Sequence, residues 1–409
     1  MEIAETKIDF DEWRKEFPSI EKWIFLDHAA VSPLSRFVVE QIGEYLQDMS
    51  LNGSSACSKW DRRIESIRLD VGRLLNTSPS EIAFVGNTTH GIGLIAEGFP
   101  WRSGDNVVLA SEEYPSNQYP WLNLRDRGVS VRRVASRGAK IELEDLFQAI
   151  DEKTRVLALS SVQYSSGFSM PLIPLGEYCR SRGIFFAVDA IQSLGAQKIF
   201  PNELPIDSLA ACGHKWLLGP QGAGIFWLRP KWLDHLHPVG VGWNSVVRPH
   251  DFSSIQTEWK NHSGRWEGGT YNFLGIVGLG ASISRLLAVG IERIQAKILE
   301  LTDYLCARLP ETNWEVYSCR EPSAKSGIVS VTHPSFDPKQ ITAYCQQIPK
   351  SPKSVISPCN DQSGADSSLA SLPIAMNVRG GRLRISPHAY NIPAEIDQVI
   401  ERLKSFPDR

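Results

Sequence analysis

The chain has 409 residues, 42% of them apolar and 22% charged, with a formal net charge of −3. That length allows two domains with substantial cores, and the charge balance argues against nucleic acid or an anionic membrane as the main partner. No apolar run is long enough to span a bilayer. The acidic opening MEIAETKIDFDEWRKEF lacks the apolar stretch of a signal peptide. Seven cysteines (57, 179, 212, 306, 319, 345 and 359) are scattered, odd in number and contain no C-x-x-C pair. This pattern leads us to expect reduced thiols, a cytoplasmic location and no structural zinc.

In chain order, short apolar runs predict strands at IAFVG (82–86), NVVLAS (106–111), VSVRRVAS (129–136), RVLALSSV (155–162), IFFAVDA (184–190), SLAACGH (208–214) and AGIFWLR (223–229). Several are apolar on both faces, as in strands covered by helices on both sides. Helical patterns at 62–75, 89–98 and 171–182 lie between them, so the expected fold is α/β around one large sheet. After about residue 290 the character changes. A long amphipathic helix (291–309) leads to shorter strands at 327–334, 374–380 and 382–388 and a last helix at 393–406. The expected organisation is a large domain over 21–289 and a smaller α+β domain over 290–409, joined by residues 1–20. Residues 349–371, rich in Ser, Pro and Asp, read as a loop or insertion.

Three features could carry chemistry. Asp189 ends an otherwise apolar strand, where a carboxylate is costly unless something positive or hydrogen-bonding meets it. It could be a helix cap or one half of a buried ion pair. It could equally pair with a protonated ring nitrogen, with Gln192 facing the same ligand. GNTTHGIG (86–93) follows a strand and opens a helix, a geometry that offers free N–H groups and the hydroxyls of Thr88 and Thr89 to an anion, or simple capping. Lys215 lies between the strand SLAACGH and a loop containing Gly219, Pro220, Gly222 and Gly224. A shielded lysine there would have a lowered pKa and attack aldehydes; a solvated turn lysine is the plainer alternative. Together, a phosphate cup, an Asp for a ring nitrogen and a lysine amine are what pyridoxal 5′-phosphate (PLP) requires.

At these residues the sequence resembles the class V aminotransferases of the fold-type I PLP enzymes, the group that includes cysteine desulfurases and isopenicillin N epimerase-like proteins. FLDHAAVSPLS (25–35), FVGNTTHGIGLIA, VDAIQSLGA, GHKWLLGPQGAGIFWLR, RWEGGTYN (265–272) and LRISPHAYN (383–391) match the family's motifs in order along nearly the whole chain. The resemblance implies a large domain with a mostly parallel seven-stranded sheet and a smaller C-terminal domain. It implies that Lys215 forms the Schiff base with PLP and then serves as acid and base at Cα. Asp189 would meet the pyridine nitrogen and Gln192 the phenolic oxygen. Thr88, Thr89 and His214 would bind phosphate, and Thr270 would reach the phosphate of a neighbouring subunit, making a homodimer with shared active sites. Arg384 would clamp the substrate carboxylate.

The pattern breaks in places. Tyr114 stands where desulfurases carry a histidine over the ring; it can stack but cannot relay protons near neutral pH. Cys212 replaces a phosphate-binding serine. The segment VRGGRLRISPHAYN reaches Arg384 without the cysteine-bearing loop of a desulfurase, and Cys359, in the polar insertion, has no neighbour that would lower its pKa. Gln163 or Ser161 could stand for a cofactor-contacting asparagine. Asp27, His28, Asn52, Tyr114, Asn117 and Trp243 are candidates for the substrate mouth. The sequence therefore reads as a PLP enzyme acting at the α-carbon of an amino acid by C–S elimination, epimerisation or transamination. The alternatives are a desulfurase with an atypically placed cysteine and a catalytically silent relative.

Overall fold

The computed structural model describes residues 7–335, 337–347 and 369–406. Cys359 and most of the 349–371 segment lie outside them. The large sheet contains β1 (Ile82–Val85), β2 (Asn106–Ala110), β3 (Ser130–Val134), β4 (Thr154–Ser160), β5 (Phe185–Asp189), β6 (Ser208–Cys212) and β7 (Gly224–Leu228). Their order is β1-β7-β6-β5-β4-β2-β3. Only β7 runs against its neighbours, β1 and β6; the other pairs are parallel. This is the α/β architecture of fold-type I, a mixed seven-stranded sheet with a smaller C-terminal domain.

The two-sided apolar character of these strands is used on both faces. Leu157, Leu159, Phe186 and Val188 face one core, with Ile64, Ile67 and Val71 of a helix at Cys57–Leu75 and Ile276, Leu279 and Ile283 of a helix at Phe273–Val289. Val156, Ala158, Phe185 and Ala187 face the other core, with Ile92 and Ile95 of helix α1 (Thr88–Gly98). A side chain at Gly91 would come within 2.8 Å of the Ala210 Cβ. Glycine there lets α1 lie directly on β6, which places its N-terminus over the end of the sheet.

The smaller domain has a four-stranded antiparallel sheet: β8 (Glu315–Val316), β9 (Val329–Thr332), β10 (Asn377–Arg379) and β11 (Arg382–Ile385), ordered β10-β11-β9-β8. Leu301, Leu305, Val331, Ile385, Ile396 and Ile400 fill its core. The single strand expected over 374–380 is two. Ile374–Ala375 pairs in parallel with Ile24–Phe25, while Asn377–Arg379 pairs with β11. Gly380 and Gly381, at φ of 55° and 73°, form the two-residue turn between them; positive φ at both positions matches the twist of a tight hairpin. Residues near the N-terminus contact both halves of the protein. Trp13 and Phe17 enter the large core beside Tyr390, Ile8 N–H donates to Ala288, and Arg14 pairs with Glu395 at 2.9 Å. No single helix among the described residues is long and apolar enough to cross a membrane.

Candidate active site

Strands β1, β2, β4, β5 and β6 all end at one edge of the sheet, where open α/β proteins bind ligands. A cavity of about 340 Å³ lies there. Thr88 and Thr89 line it from α1, Gln192 from the turn after β5, and Cys212, His214 and Lys215 from the end of β6. Tyr114 follows β2, and Arg384 comes from β11 of the smaller domain. Asp189 is the last residue of β5 and does not line the cavity itself; its charge acts on Lys215.

Asp189 is 2% exposed. Its Oδ1 accepts the Ile191 N–H at 3.0 Å, and its Oδ2 is buried with no partner. Burial pushes its carboxyl up to about 7; the negative Glu113 adds to the rise and the Lys215 charge opposes it. An orphaned carboxylate oxygen is expensive in an apolar strand end, and a cationic N–H donor would satisfy it. Lys215 is 7% exposed. Its carbonyl accepts the Ser32 hydroxyl at 2.7 Å and the Leu218 N–H at 2.9 Å, which fixes the backbone beneath the amine. Its Nζ lies 5.3 Å from the centre of the Tyr114 ring. Burial lowers its pKa to about 8, helped by the charges of Arg384 and Arg379, while Asp189 and Cys212 pull the other way.

At the N-terminus of α1 the Asn87 side chain accepts the His90 N–H at 2.8 Å, leaving the Thr88 and Thr89 N–H groups outside the helical ladder. Thr88 Oγ1 is buried without a partner, and Thr89 donates to Ser116 at 2.8 Å. This cup suits a phosphate dianion. His214 is held neutral, its pKa lowered to about 4 by burial first and then by the Lys215 charge. Its Nδ1 lies 3.0 Å from Cys212 Sγ. Burial raises the Cys212 thiol, which donates to the Ala223 carbonyl at 3.3 Å. Gln192 reaches the cavity with its amide partly engaged: Nε2 donates to Ala29 and Oε1 accepts Trp216 Nε1 at 2.9 Å. The amine, the orphaned carboxylate and the anion cup fit PLP as the sequence motifs require.

Arg384 is 1% exposed. Nη1 donates to the Tyr164 carbonyl at 2.9 Å and Nη2 to Asp27 Oδ1 at 3.1 Å, and Nε is buried without a partner. Thr270 does not line the Lys215 cavity of its own chain. It lines a hollow of about 190 Å³ with Gly86, His90 and Trp266, behind the same phosphate loop. Of the six mouth candidates, Tyr114 alone lines the cavity. Asp27 is held by Arg384 and by Asn377, and His28 is buried between Ser386 and Tyr390. Asn117 bonds Glu113 and Trp121, Asn52 bonds Asp48, and Trp243 lines a separate apolar hollow with Phe252. Neither proposed substitute for the asparagine lines the cavity. Gln163 donates to Glu113 at 2.7 Å and Ser161 contacts Ser193 at 2.6 Å.

Sequence reasoning missed Glu113. It is fully buried, and its carboxylate accepts from Ser160, Asn117 and Gln163. It braces the ends of β2 and β4 and adds negative charge beside Asp189. It lies three residues past the end of β2, the second of two adjacent glutamates, and no local pattern marks which of the two turns inward. Arg379, Tyr164, Asn87 and Gln221 also line the cavity and were not singled out.

The family model for the class-V aminotransferases matches residues 24–399. The chain belongs to this family. It is therefore a fold-type I PLP enzyme of the class-V aminotransferase and cysteine desulfurase-like group. A probable cysteine desulfurase from Methanothermobacter thermautotrophicus is 30% identical over 400 residues, covering 96% of this chain and 97% of the relative. One from Pyrococcus abyssi is 25% identical, with 96% of each chain covered. Among solved structures, an apo cysteine desulfurase from Thermococcus onnurineus superposes with a TM-score of 0.81 at 24% identity, covering 96% of each chain. A cystine C–S lyase in complex with its product, cysteine persulfide, superposes with a TM-score of 0.83 at 22% identity, covering 96% of this chain and all of the other. Both likenesses carry the fold.

Only a neutral amine adds to an aldehyde. With the Lys215 amine near 8, loading of the apo protein with PLP is expected to accelerate as pH rises through about 8 and then level off. Absorbance kinetics from pH 6 to 11 check this. A midpoint near the ordinary lysine value of about 10.4 would contradict it.

Proposed function

We propose that the protein is a PLP-dependent enzyme that breaks the C–S bond of a cysteine-type amino acid, working in the cytoplasm as a homodimer with shared active sites. The observation that carries the chemistry is a buried amine on the cavity wall, Lys215, within charge reach of the buried carboxylate of Asp189, whose free oxygen has no protein partner. The relatives' names supply the sulfur substrate.

Bound PLP supplies an electron sink for charge developing at the substrate α-carbon. The residues of the chain do the rest. The Thr88–Thr89 end of α1 would hold the phosphate, and Asp189 Oδ2, left without a protein partner, would hold a proton on the ring nitrogen. The Tyr114 ring covers the cavity above Lys215. Arg384 orients the α-carboxylate through its uncommitted Nε. Lys215, neutral at mildly alkaline pH, removes the Cα proton and later returns a proton. Thr270, away from its own Lys215 cavity and backing the same loop, is suited to reach a neighbouring copy. Trp243, Phe252 and Ile255, 42%, 73% and 94% exposed on the segment before it, offer apolar surface for such a copy.

Two fates of the sulfur follow. In a desulfurase a protein thiol attacks the substrate sulfur, forming a persulfide and releasing alanine; Cys359 is the candidate thiol, and the relatives' names favour this course. A C–S lyase instead adds water overall to yield pyruvate, ammonia and a free thiol or persulfide. The state of Cys212 favours this second reading: among the described residues it is the one thiol lining the cavity, and burial and its bond to Ala223 make it a poor nucleophile. Incubation of holoenzyme with cysteine and with cystine is expected to release sulfide or persulfide. Alanine that disappears in Cys359→Ser marks the desulfurase; pyruvate unaffected by that change marks the lyase. A keto acid that retains its sulfur would overturn C–S cleavage.

A further inference from the structure

The backbone carbonyls around Lys215 are held one by one. The His214 carbonyl accepts the Ser32 N–H at 2.8 Å, and the Lys215 carbonyl accepts the Ser32 hydroxyl at 2.7 Å. The next carbonyl, that of Trp216, accepts Nε2 of His388 at 3.1 Å. His388 lies three residues past β11, the strand that carries Arg384. This bond therefore ties the turn bearing the amine to the smaller domain.

The turn is shaped to receive it. Leu218 has a φ of 57°, a left-handed backbone that is costly for leucine, and its N–H closes the turn on the Lys215 carbonyl at 2.9 Å. Trp216 is fully buried, and its indole N–H donates to Gln192 Oε1 at 2.9 Å. A side chain at Gly195 would come within 2.4 Å of the Trp216 carbonyl oxygen, and one at Gly327 within 2.7 Å of its indole ring. Both glycines leave the room that Trp216 occupies.

His388 itself carries a cost. A carbonyl only accepts, so Nε2 holds the imidazole proton. The ring is fully buried, and burial keeps it neutral, with its pKa lowered to about 4. Nδ1 is then a bare acceptor with no partner among the described residues, and a buried acceptor left unpaired is destabilising. Leucine would fill much of the same space without that penalty. What the imidazole adds is the donor to the Trp216 carbonyl. We infer that His388 is a positioning residue for Lys215: it bolts the lysine turn to the end of the strand carrying Arg384 and so holds the amine at its buried place on the cavity wall. Its bearing on turnover rests on the proposed role of Lys215; the bolt itself can be tested without cofactor or substrate.

The test is acetylation of the apo protein by acetic anhydride from pH 6 to 11, with the Lys215 peptide followed by mass spectrometry, since only the neutral amine reacts. Asp189 from β5, Cys212 from β6, and Arg379 and Arg384 from the smaller domain bear on this amine; His214 adjoins it and the Tyr114 ring lies above it. None of them is altered by a change at His388. Wild type is expected to show a midpoint near 8. In His388→Leu the loosened turn lets the amine reach water, and the midpoint should rise by about half a unit or more toward the ordinary lysine value. His388→Gln, whose amide N–H reaches as far as Nε2, should stay near the wild-type midpoint. His388→Asn, too short to reach, should follow leucine. The thermal melt of His388→Leu should match or exceed that of wild type, because the unpaired nitrogen is gone. In the loaded enzyme kcat should fall by about tenfold or more in His388→Leu and recover in His388→Gln. A leucine variant with the wild-type midpoint would overturn the inference. Should that variant fail to fold, equal midpoints for the glutamine and asparagine variants would overturn it instead. A raised midpoint in a protein whose kcat is unchanged would leave the bolt standing and refute the proposed role of Lys215.

Discussion

Lys215→Ala is expected to abolish the visible absorption of the PLP-loaded protein and to lower turnover by about a thousandfold or more. In the proposed mechanism the amine serves twice, as the covalent anchor and as the proton carrier at Cα, and general acid–base catalysis alone accounts for about 10²–10⁴ in rate. The cavity provides no ready substitute. His214 is held neutral far below the lysine range, and Tyr114 brings a phenol in place of an amine. The loss should appear in kcat with every substrate tested, since the step precedes any divergence between sulfur release and other fates. Single-turnover kinetics and the absorption spectrum check it. A variant that retains a tenth of wild-type turnover would remove Lys215 from the mechanism.

Asp189→Asn is expected to have opposite effects on catalysis and on stability. The free oxygen of the carboxylate sits in an apolar strand end, and its pKa rises from 3.8 to about 7 on folding. Because the folded value lies above the unfolded one, the apo protein binds the more protons between these values. The penalty is fully present above about pH 7 and fades as pH falls toward 4. Removing the charge should therefore stabilise the apo protein at pH 8 by about 2 kcal/mol, part of the gain being offset by an amide left without a partner. The gain should vanish near pH 4. Turnover should fall by about a hundredfold or more, because in the proposed mechanism the Asp189 carboxylate keeps the ring nitrogen protonated. Thermal melts of apo wild type and variant across pH, with kcat at pH 8, check both halves. An apo variant less stable than wild type at pH 8 would mean that Asp189 has a compensating partner. A residue costly to the apo fold and useful only to a bound ligand would be a case of an active site trading stability for function.

Much of this was legible in the chain itself. Runs such as RVLALSSV and IFFAVDA are apolar on both faces, and only a strand covered on both sides can bury that pattern, so the large sheet followed from composition along the strand. Asp189 was conspicuous because ionised groups do not end apolar strands without reason. Lys215 and the loop at 86–91 gained meaning from lying in strand-to-helix connections, where this fold gathers its ligands. Sequence alone thus determined the fold class and drew attention to Asp189, Lys215 and the 86–91 loop.

Other features depend on contacts that no local pattern encodes. The end of the 374–380 run was indistinguishable from a continuous strand until Ile374 paired with Ile24, 350 residues earlier in the chain. Asp27 and His28 are adjacent, yet one bonds Arg384 at the cavity and the other is buried against Tyr390. The divergence comes from packing around Ser386, not from either residue's chemistry. Thr270 belongs to a family motif, but its distance from the Lys215 cavity is decided by how the Gly268–Thr270 loop folds behind the sheet. Arg379 looked like one of several arginines in NVRGGRLR. Its place on the cavity wall depends on the glycine turn, which sets the register of β10 against β11. Strand and helix patterns are written in residues a few positions apart, so the sequence determined them. The balance of charge in the cavity is a sum over residues hundreds of positions apart, and only the tertiary structure performs that sum.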